Sequence, residues 1–323
     1  MELNKVYHLD FLQNQLPDKC AQLIIADPPY FEVKGEFDFI WKSFDDYLKD
    51  VEKWAIECKR ILADNGTLFW YGHAKKIAYA QIIFDKYFNL ENNIAIEFNR
   101  QTKKGVELFR CFAPVSERLL MYSNETIMTG LEAIKLDINN FQTLRQYFKE
   151  LQEFIGTPKS KIVEQVGQTA DHCFRWSSTQ WDLPTIETYK KLIYHFQIDK
   201  WKGFKEYETL RQEYETLRQE YETLRRPFNN FKKLFDIMSF DQEAHITDKY
   251  DHDTCKPETL TRALILTCSR KNDLVVVPFA GSGTECAMSA KEGRKFIGFD
   301  IEPKYVEMSN KRCRLILSQP QLF

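Results

Sequence analysis

The sequence lacks the features that mark several large protein classes. Its eight cysteines include no C-x-x-C pair, which argues against a zinc site and against a disulfide framework. Its apolar runs are too short to span a membrane, and residues 1–5 do not resemble the start of a signal peptide. Neither sign of charge dominates, because the formal net charge is −2, so any contact with nucleic acid must come from local basic patches. These absences favour a cytoplasmic protein.

Two parts of the chain, residues 1–125 and 253–323, alternate short apolar strands with helices. The chain has 323 residues, of which 43% are hydrophobic, enough for one large or two ordinary domains with a substantial core. The alternation indicates a parallel or mixed sheet that both parts share, and Asn65-Gly66 predicts a turn before its second strand. The predicted strands are 22–26, 67–71, 93–98, 118–122, 273–277 and 296–299, and the predicted helices are 44–63, 74–88, 257–269, one after residue 284 and one from about 303.

A four-residue motif, Asp27-Pro28-Pro29-Tyr30, follows the apolar run 23–26 at the expected end of a buried strand. Two adjacent prolines fix the backbone, remove two N–H donors and leave carbonyl groups as acceptors. Asp27 adds another acceptor, and Tyr30 adds a flat ring. Such a set suits a planar group with an exocyclic amine, which would stack on the ring while Asp27 and the Pro28 carbonyl accept from its NH₂. The alternative is a rigid exit from the strand with a packed tyrosine.

A glycine-rich turn at residues 278–284 connects the predicted strand 273–277 to a helix. Glycines let a ligand approach the backbone, and the free N–H groups at the start of a helix favour negative charge or a carboxylate. The next strand ends in Asp300, 17 residues after Gly283. In nucleotide-binding βαβ units an acid that meets a ribose hydroxyl stands at a spacing of roughly 20 residues. The turn and Asp300 together therefore predict a nucleotide site.

At these residues the chain resembles the amino-group DNA methyltransferases that depend on S-adenosylmethionine. The Asp-Pro-Pro-Tyr motif matches the catalytic motif of that family, and residues 279–283 match its cofactor motif. Because the catalytic motif comes first, the chain is similar to the permuted group called beta. The resemblance covers residues 5–125 and 250–315. It implies an α/β fold with a Rossmann-like doubly wound sheet, the permuted methyltransferase fold, and a mainly helical inserted domain at 126–252.

The resemblance also implies roles for particular residues. Lys256 would help to hold the methionine end of the cofactor and Asp10 would contact its adenine, although a helix start explains either residue as well. Val277 departs from the family, which often has Asp there, so Asp300 is the main acidic partner. The implied catalytic residues are Asp27, Pro28, Pro29 and Tyr30, and the implied cofactor-binding residues are Asp10, Lys256, Pro278, Phe279, Ala280, Gly281, Ser282, Gly283, Thr284 and Asp300.

The same resemblance implies a site-specific reaction on double-stranded DNA. The target base would be flipped out of the duplex and stacked on Tyr30, and the methyl group would pass directly to its amine, with no metal and no cysteine nucleophile. Aspartate at the first motif position is more common in adenine N6 enzymes, so adenine is favoured over cytosine N4. RNA as the substrate, an inactive DNA-binding regulator, and a cognate restriction endonuclease as a partner stay open.

Residues 126–252 differ from the rest because good strands are missing and the pattern is mostly helical. Helices are expected at 141–155, at 157–166, at 169–176 and from Thr185, an order that resembles helix-turn-helix domains of the phage-repressor type. In that resemblance the helix 169–176 enters the major groove. The alternative is a helical insert that only packs. The predicted DNA-reading residues are Gln168, Thr169, Asp171, His172 and Arg175.

A tandem repeat occupies residues 206–226, where the heptad EYETLRQ occurs at 206–212 and 213–219 and, with Arg in the last place, at 220–226. Tyrosine and leucine recur at alternating steps of three and four, which gives an a/d stripe on a rod of roughly 30 Å. Pro227 ends this rod. The stripe allows a homodimeric coiled coil, a spacer, or a helix packed on its own domain.

A basic segment precedes the predicted strand 118–122. In similar enzymes the matching loop lies beside the target base and the DNA backbone, where lysine and arginine would neutralise phosphates. A solvated loop is the alternative. The predicted DNA-contacting residues are Arg100, Lys103, Lys104 and Arg110.

Overall fold

The structure is a computed structural model that describes residues 1–33, 38, 40–98, 110, 112, 116–124, 141–240 and 255–318. The chain forms two compact units, the first made of Met1–Thr126 and Arg226–Phe323 and the second of Ile127–Arg225. Within the described ranges, no helix combines the length and the apolar character needed to cross a membrane.

The first unit contains all the strands that the structure describes, and the second is helical. The strands are β1 (Lys5–His8), β2 (Ala21–Ala26), β3 (Leu62–Gly72), β4 (Asn89–Phe98), β5 (Ser116–Ser123), β6 (Ile237–Phe240), β7 (Leu274–Val277) and β8 (Lys295–Asp300). The α-helices are α1 (Phe44–Ile61), α2 (Ile77–Phe84), α3 (Gln142–Ile155), α4 (Lys159–Val166), α5 (Ile186–Phe196), α6 (Tyr207–Leu224), α7 (Glu258–Cys268), α8 (Thr284–Lys291) and α9 (Pro303–Leu317). Helices α3 to α6 belong to the second unit.

The eight strands form one sheet in the order β1-β8-β7-β2-β3-β5-β4-β6. Neighbouring strands are parallel except that β5 runs antiparallel to both β3 and β4. Strands β2 and β7 are adjacent, with Leu23 opposite Val275. Their carboxyl ends, which carry the catalytic and glycine-rich motifs, therefore meet at one edge of the sheet, where open α/β folds bind ligands.

Helices cover both faces of this sheet. Successive residues of a strand point to opposite faces, so one strand contributes side chains to two cores. Leu23 and Ile25 join a core that includes buried residues of α7 and α8. Ile24 and Ala26 join a second core with buried residues of α1 and α2. The sheet is thus apolar on both faces, as expected for parallel strands between two helical layers, and the predicted doubly wound α/β fold is confirmed.

Two local features differ from the sequence prediction. Strand β6 pairs in parallel with β4, although no strand is predicted between 126 and 252. Residues 226–240 therefore belong to the first unit, and the helical insert predicted at 126–252 is longer than the second unit of the structure. Asn65 and Gly66 lie within β3 instead of in a turn before it. The pairing of β2 with β3 jumps from Leu62 to Thr67, so these residues form an irregular, bulged part of the strand.

The second unit packs α3 to α6 around its own apolar core. Thr185 caps α5 through the Thr188 N–H at 3.2 Å, as its position before an apolar helix predicts. The tandem repeat forms α6. Its first copy packs into the core through Leu210, which is 0% exposed, whereas Leu224 in the third copy is 71% exposed. Only part of the repeat is therefore needed to complete this core.

The predicted helix 169–176 is wrong. A 3₁₀ turn covers Gln168–Ala170, and non-helical turns follow it. The backbone N–H groups of Asp171 and Arg175 bond to carbonyls three residues earlier, not four, at 3.1 Å in each case. Side chains hold these turns, since Trp181 Nε1 donates to the Cys173 carbonyl at 3.0 Å and Arg145 donates to the Trp176 carbonyl at 3.0 Å. The adjacent residues Cys173 and Phe174 are both buried, which a turn accommodates.

Candidate active site

The catalytic motif leaves the carboxyl end of β2 and is held by hydrogen bonds of its own tyrosine. Tyr30 Oη donates to Asp27 Oδ1, and the Tyr30 N–H donates to Asp38 Oδ1 at 2.6 Å. The side chain of Asp38 is buried. These two bonds fix the Tyr30 ring relative to the Asp27 carboxylate, which keeps 21% of its side chain exposed. The acceptor and the flat ring predicted to receive an amine-bearing group are therefore brought together.

Lys256, which precedes α7, lies between two carboxylates. Its Nζ is 3.0 Å from Asp27 Oδ2 and 3.1 Å from Glu117 Oε2, donates to Tyr30 Oη at 3.2 Å, and lies 4.7 Å from the centre of the Tyr71 ring. Only 5% of Lys256 is exposed. The lysine that the resemblance assigns to the cofactor is thus bound to the catalytic motif itself.

This pairing sets the ionisation of Asp27. Burial raises the pKa of Asp27 above its usual value, Lys256 opposes that rise, and Glu117 adds to it. Burial also lowers the pKa of Lys256, but the charges of Asp27 and Glu117 outweigh it and hold that pKa above its usual value. Lys256 therefore stays charged and favours an ionised Asp27, the form that only accepts hydrogen bonds.

The glycine-rich turn lies between β7 and α8 and packs against α9. Gly281 and Gly283 have positive φ angles of 47° and 74°, a region that favours glycine. A Cβ on Gly283 would lie 2.7 Å from both Cβ and Oγ of Ser309. Ser309 Oγ in turn donates to the Gly281 carbonyl at 2.7 Å. The turn needs glycine at position 283 both for its backbone angle and for its contact with α9.

Asp300 lies beside the same turn at the end of β8. Its Oδ2 accepts from the Gly281 N–H at 2.8 Å and its Oδ1 from the Glu302 N–H at 2.9 Å. A carboxylate has about four acceptor sites, so both oxygens can accept a further bond. Burial raises the pKa of Asp300, and the two N–H bonds oppose that rise. The structure therefore joins the predicted acid to the predicted turn directly.

Asp10 and Phe279 have contacts within the protein. Asp10 caps the 3₁₀ turn Phe11–Gln13 and accepts from the Leu12 N–H at 2.9 Å, which is the capping contact that the sequence allows. The Phe279 ring packs edge-on against Trp54 with the ring centres 5.0 Å apart. Phe279 thus anchors the turn in the core beside α1, and a cofactor contact of Asp10 stays a prediction.

Three residues of this site were missed by the sequence reasoning. Glu117 on β5 binds Lys256, Tyr71 ends β3 beneath the same lysine, and Glu285 stands in the first turn of α8 with 5% of its surface exposed. Burial raises the pKa of Glu285 to about 7, and the neighbouring charge of Asp27 adds to this rise. A polar residue at a strand end or directly after the glycine turn is the signal that could have identified them.

The comparison with protein families decides the class of this site. A family model described as DNA methylase matches residues 21–311, which include the catalytic motif, Lys256 and the glycine turn. The chain belongs to the DNA methylase family.

Individual relatives agree with this assignment. The DNA methylase is 23% identical to the DNA adenine methyltransferase YhdJ of Escherichia coli K12, with 96% of this chain and 83% of that protein covered. It is 43% identical to the type II methyltransferase M.HinfI of Haemophilus influenzae, with 94% of this chain but only 66% of that protein covered. The structure of M1.HpyAVI in complex with SAM has the same fold, with a TM-score of 0.52, 16% identity and coverage of 95% and 98% of the two chains.

The charge of the site fits the cofactor that this family implies. Three carboxylates, those of Asp27, Glu117 and Glu285, interact with Lys256, so negative charge exceeds positive charge around a buried lysine. S-adenosylmethionine carries a sulfonium and an ammonium. A group of side chains with excess negative charge, beside a glycine turn, is complementary to such a ligand.

The DNA-contacting residues predicted for this DNA methylase have mixed outcomes. Arg100, Lys103 and Lys104 lie outside the described residues, and Arg110 is exposed. Asp171 was expected to be exposed but is buried, because its carboxylate pairs with Lys159 at 2.7 Å and with Arg175. Two further members of the predicted reading set also contact their own unit: Thr169 bonds Thr188 at 2.8 Å, and the His172 Nδ1 lies 3.1 Å from the Gln180 carbonyl. Their contact with DNA stays a prediction.

Proposed function

We propose that the protein transfers the methyl group of S-adenosylmethionine to N6 of an adenine in double-stranded DNA, at a specific sequence. The observation that carries this function is the assembled set of Asp27, Tyr30 and Lys256 next to the glycine turn at 281–283. Membership of the DNA methylase family supports the reaction class. The aspartate at position 27 and the similarity to an enzyme named as a DNA adenine methyltransferase support adenine.

Asp27 acts as a hydrogen-bond acceptor for the amine of the target base. Lys256 holds its carboxylate in the ionised form, and the Pro28 carbonyl supplies the second acceptor. When both N6 hydrogens are accepted, the nitrogen lone pair is less conjugated with the ring and more nucleophilic. Tyr30 provides the stacking surface, which is worth roughly 1–3 kcal/mol per base. A base inside a duplex cannot reach these groups, so the target must be flipped out.

S-adenosylmethionine, when bound, would supply a methyl group on a positively charged sulfur for direct transfer to N6. Gly281 and Gly283 would let the ligand approach the backbone. Asp300, which accepts from the Gly281 N–H, would also accept from a ribose hydroxyl. The amine that gains the methyl group loses one proton, which leaves to water. Positioning of the two reactants supplies much of the rate.

The second unit, residues 127–225, is the proposed target-recognition region, since it is a separate compact body with its own core. Exposed members of the predicted set, Gln168 and His172 among them, would contact the bases. A cognate restriction endonuclease and a homodimer formed through α6 are further proposals. The described cysteines form no disulfide with one another, which supports a reducing, cytoplasmic location.

The decisive experiment is to incubate the purified protein with S-adenosylmethionine and unmethylated genomic DNA, and then to analyse the nucleosides by mass spectrometry. N6-methyladenine at a defined sequence, absent with Asp27→Ala, is the expected result. N4-methylcytosine would replace adenine by cytosine in the proposal. No methylated nucleoside, together with measurable cofactor binding, would contradict a catalytic function and favour a DNA-binding regulator.

A further inference from the structure

A buried carboxylate in the first turn of α8 keeps one oxygen without a partner in the described part of the chain. Glu285 follows the glycine turn directly, and its side chain is 5% exposed. Its Oε1 has no hydrogen-bond partner among the described residues. An unsatisfied buried acceptor destabilises the folded protein, and more so if it is charged, so a residue of this kind needs a reason.

A second buried acceptor lies in the same group. Tyr71 Oη, at the end of β3, also has no hydrogen-bond partner in the described part of the chain. Glu285 acts electrostatically on Tyr71 and contributes to raising the pKa of its hydroxyl, after burial itself. The end of β7, directly before the glycine turn, carries no charge, because its last residue is the buried Val277. Two acceptors without donors therefore remain beside the catalytic motif.

The nearby cations are engaged elsewhere. Lys256 binds Asp27 and Glu117. Arg312 donates to Glu258 at 2.7 Å, to the Ser282 carbonyl at 3.1 Å and to Thr284 Oγ1 at 2.9 Å. Both cations lower the pKa of Glu285 without bonding to its Oε1. Glu285 Oε1 and the Tyr71 hydroxyl therefore lack, among the residues that the structure describes, a bonded and positively charged partner that has N–H donors.

We propose that Glu285 and the hydroxyl of Tyr71 bind the α-ammonium group of the methionine part of S-adenosylmethionine. The inference rests on the proposed function, which supplies the cofactor. Of the two positive groups of this ligand, only the ammonium has N–H donors, and it has three, enough for both orphan acceptors. The sulfonium has no donors and would leave the two acceptors unsatisfied.

The test compares two ligands that differ in this group. S-adenosylhomocysteine carries the α-ammonium but no transferable methyl, and 5′-methylthioadenosine has the adenosine and the sulfur but no amino-acid part. Binding is measured by calorimetry for the wild type, Glu285→Gln, Tyr71→Phe and the control Glu307→Gln, which changes an exposed glutamate on α9. Thermal unfolding checks that each variant is folded.

Glu285→Gln should weaken binding of S-adenosylhomocysteine about tenfold or more, because glutamine keeps an acceptor oxygen but lacks the negative charge that strengthens a bond to an ammonium. It should leave binding of 5′-methylthioadenosine within about twofold. Tyr71→Phe should follow the same pattern with a smaller loss, and Glu307→Gln should change neither. Unchanged binding of S-adenosylhomocysteine by Glu285→Gln, or an equal loss for both ligands, would overturn the inference. If neither ligand binds the wild type, the proposed function fails together with it.

The pH dependence gives an independent check with a definite sign. The pKa of Glu285 is raised to about 7, so the ionised form that binds an ammonium becomes populated as pH rises. Affinity of the wild type for S-adenosylhomocysteine should therefore increase between about pH 6 and pH 7.5. The charged and titratable groups that interact with Glu285 are Asp27, Tyr71, Cys255, Lys256, Cys286 and Arg312. Because these remain in Glu285→Gln, a slope that survives in that variant would belong to one of them and would contradict the role of Glu285.

Discussion

Replacing Gly283 by alanine separates two reasons for a glycine in the cofactor turn. Gly283 has φ 74° and Gly293 has φ 75°, so alanine has nearly the same backbone cost at either position, roughly 1–2 kcal/mol. The space differs, however. A Cβ at position 283 would meet three Ser309 atoms at 2.7, 2.7 and 2.9 Å, whereas the nearest atom at position 293 is Lys271 Cγ at 4.0 Å. Overpacking of this kind costs about 1–3 kcal/mol.

Gly283→Ala should therefore destabilise the protein by about 2–5 kcal/mol and Gly293→Ala by about 1–2 kcal/mol. The two glycines belong to the same unit, so chemical unfolding of that unit compares them directly. The larger loss should be accompanied by weaker binding of S-adenosylhomocysteine, because Ser309 also bonds the Gly281 carbonyl. Equal losses of stability for the two variants would refute the argument that contact with α9, and not the backbone angle alone, requires glycine at 283.

Three further predictions concern the catalytic residues and the repeat. Tyr30→Ala should lose about 1–3 kcal/mol of binding free energy for DNA with a flipped or mismatched target base, while Tyr30→Phe, which keeps the ring, should bind as the wild type does. Fluorescence anisotropy measures both affinities, and an equal loss in the two variants would exclude stacking. Lys256→Met should move the acid limb of the pH–rate profile to higher pH, because burial raises the pKa of Asp27 further once the opposing cation is removed. Lys291→Met, at an exposed position, is the control. An acid limb at the same pH in Lys256→Met and the wild type would show that Lys256 does not control the ionisation of Asp27. Deletion of 213–219 should leave the melting temperature of the second unit nearly unchanged, because the next copy of the repeat supplies the same residues in place of Glu213, which pairs with Lys205, and Tyr214, which stacks on Phe141. Deletion of 213–216 shifts the repeat out of phase and should cost about 2–4 kcal/mol of stability. Similar melting temperatures for the two deletions would mean that this helix face does not pack.

The sequence was sufficient to predict the elements whose local pattern matches their final environment. Residues 23–26 of β2 and all of β7 are apolar runs because both faces of the sheet are covered. Helix α1 begins after a capping serine, Ser43, and α7 and α9 begin beside a proline. Strand β6 was missed because four residues carry too little pattern, and what makes them a strand is pairing with β4. The helix predicted at 169–176 is wrong because this segment forms tight turns with bonds between residues three apart, which the side chains of Arg145 and Trp181 hold in place.

The active site was predictable to a similar degree. The catalytic motif, the glycine turn and Asp300 are visible because their residue types are unusual at the ends of strands. The bond between Lys256 and Asp27 joins residues that are 229 positions apart (256 minus 27), and no local pattern contains that information. Glu117 and Glu285 were missed for a different reason. Each has a local signal, its place at a strand end or directly after the glycine turn, but a single glutamate at such a place is ordinarily solvent-exposed.

The interleaved order of the strands has a consequence for how the protein is made. Among the described strands, β1 pairs with β8 alone, with Lys5 opposite Ile297, so β1 must wait until synthesis has reached β8. At a synthesis rate of about 5–20 residues per second, the interval between Asp27 and Lys256 lasts on the order of 10 s or longer. The helical unit is complete by Arg225 and has its own core, so it can fold on the ribosome while the catalytic half is still open. Nascent chains halted near residue 260 should therefore protect α3 to α6 from proteolysis while β1 and β2 remain accessible to chaperones.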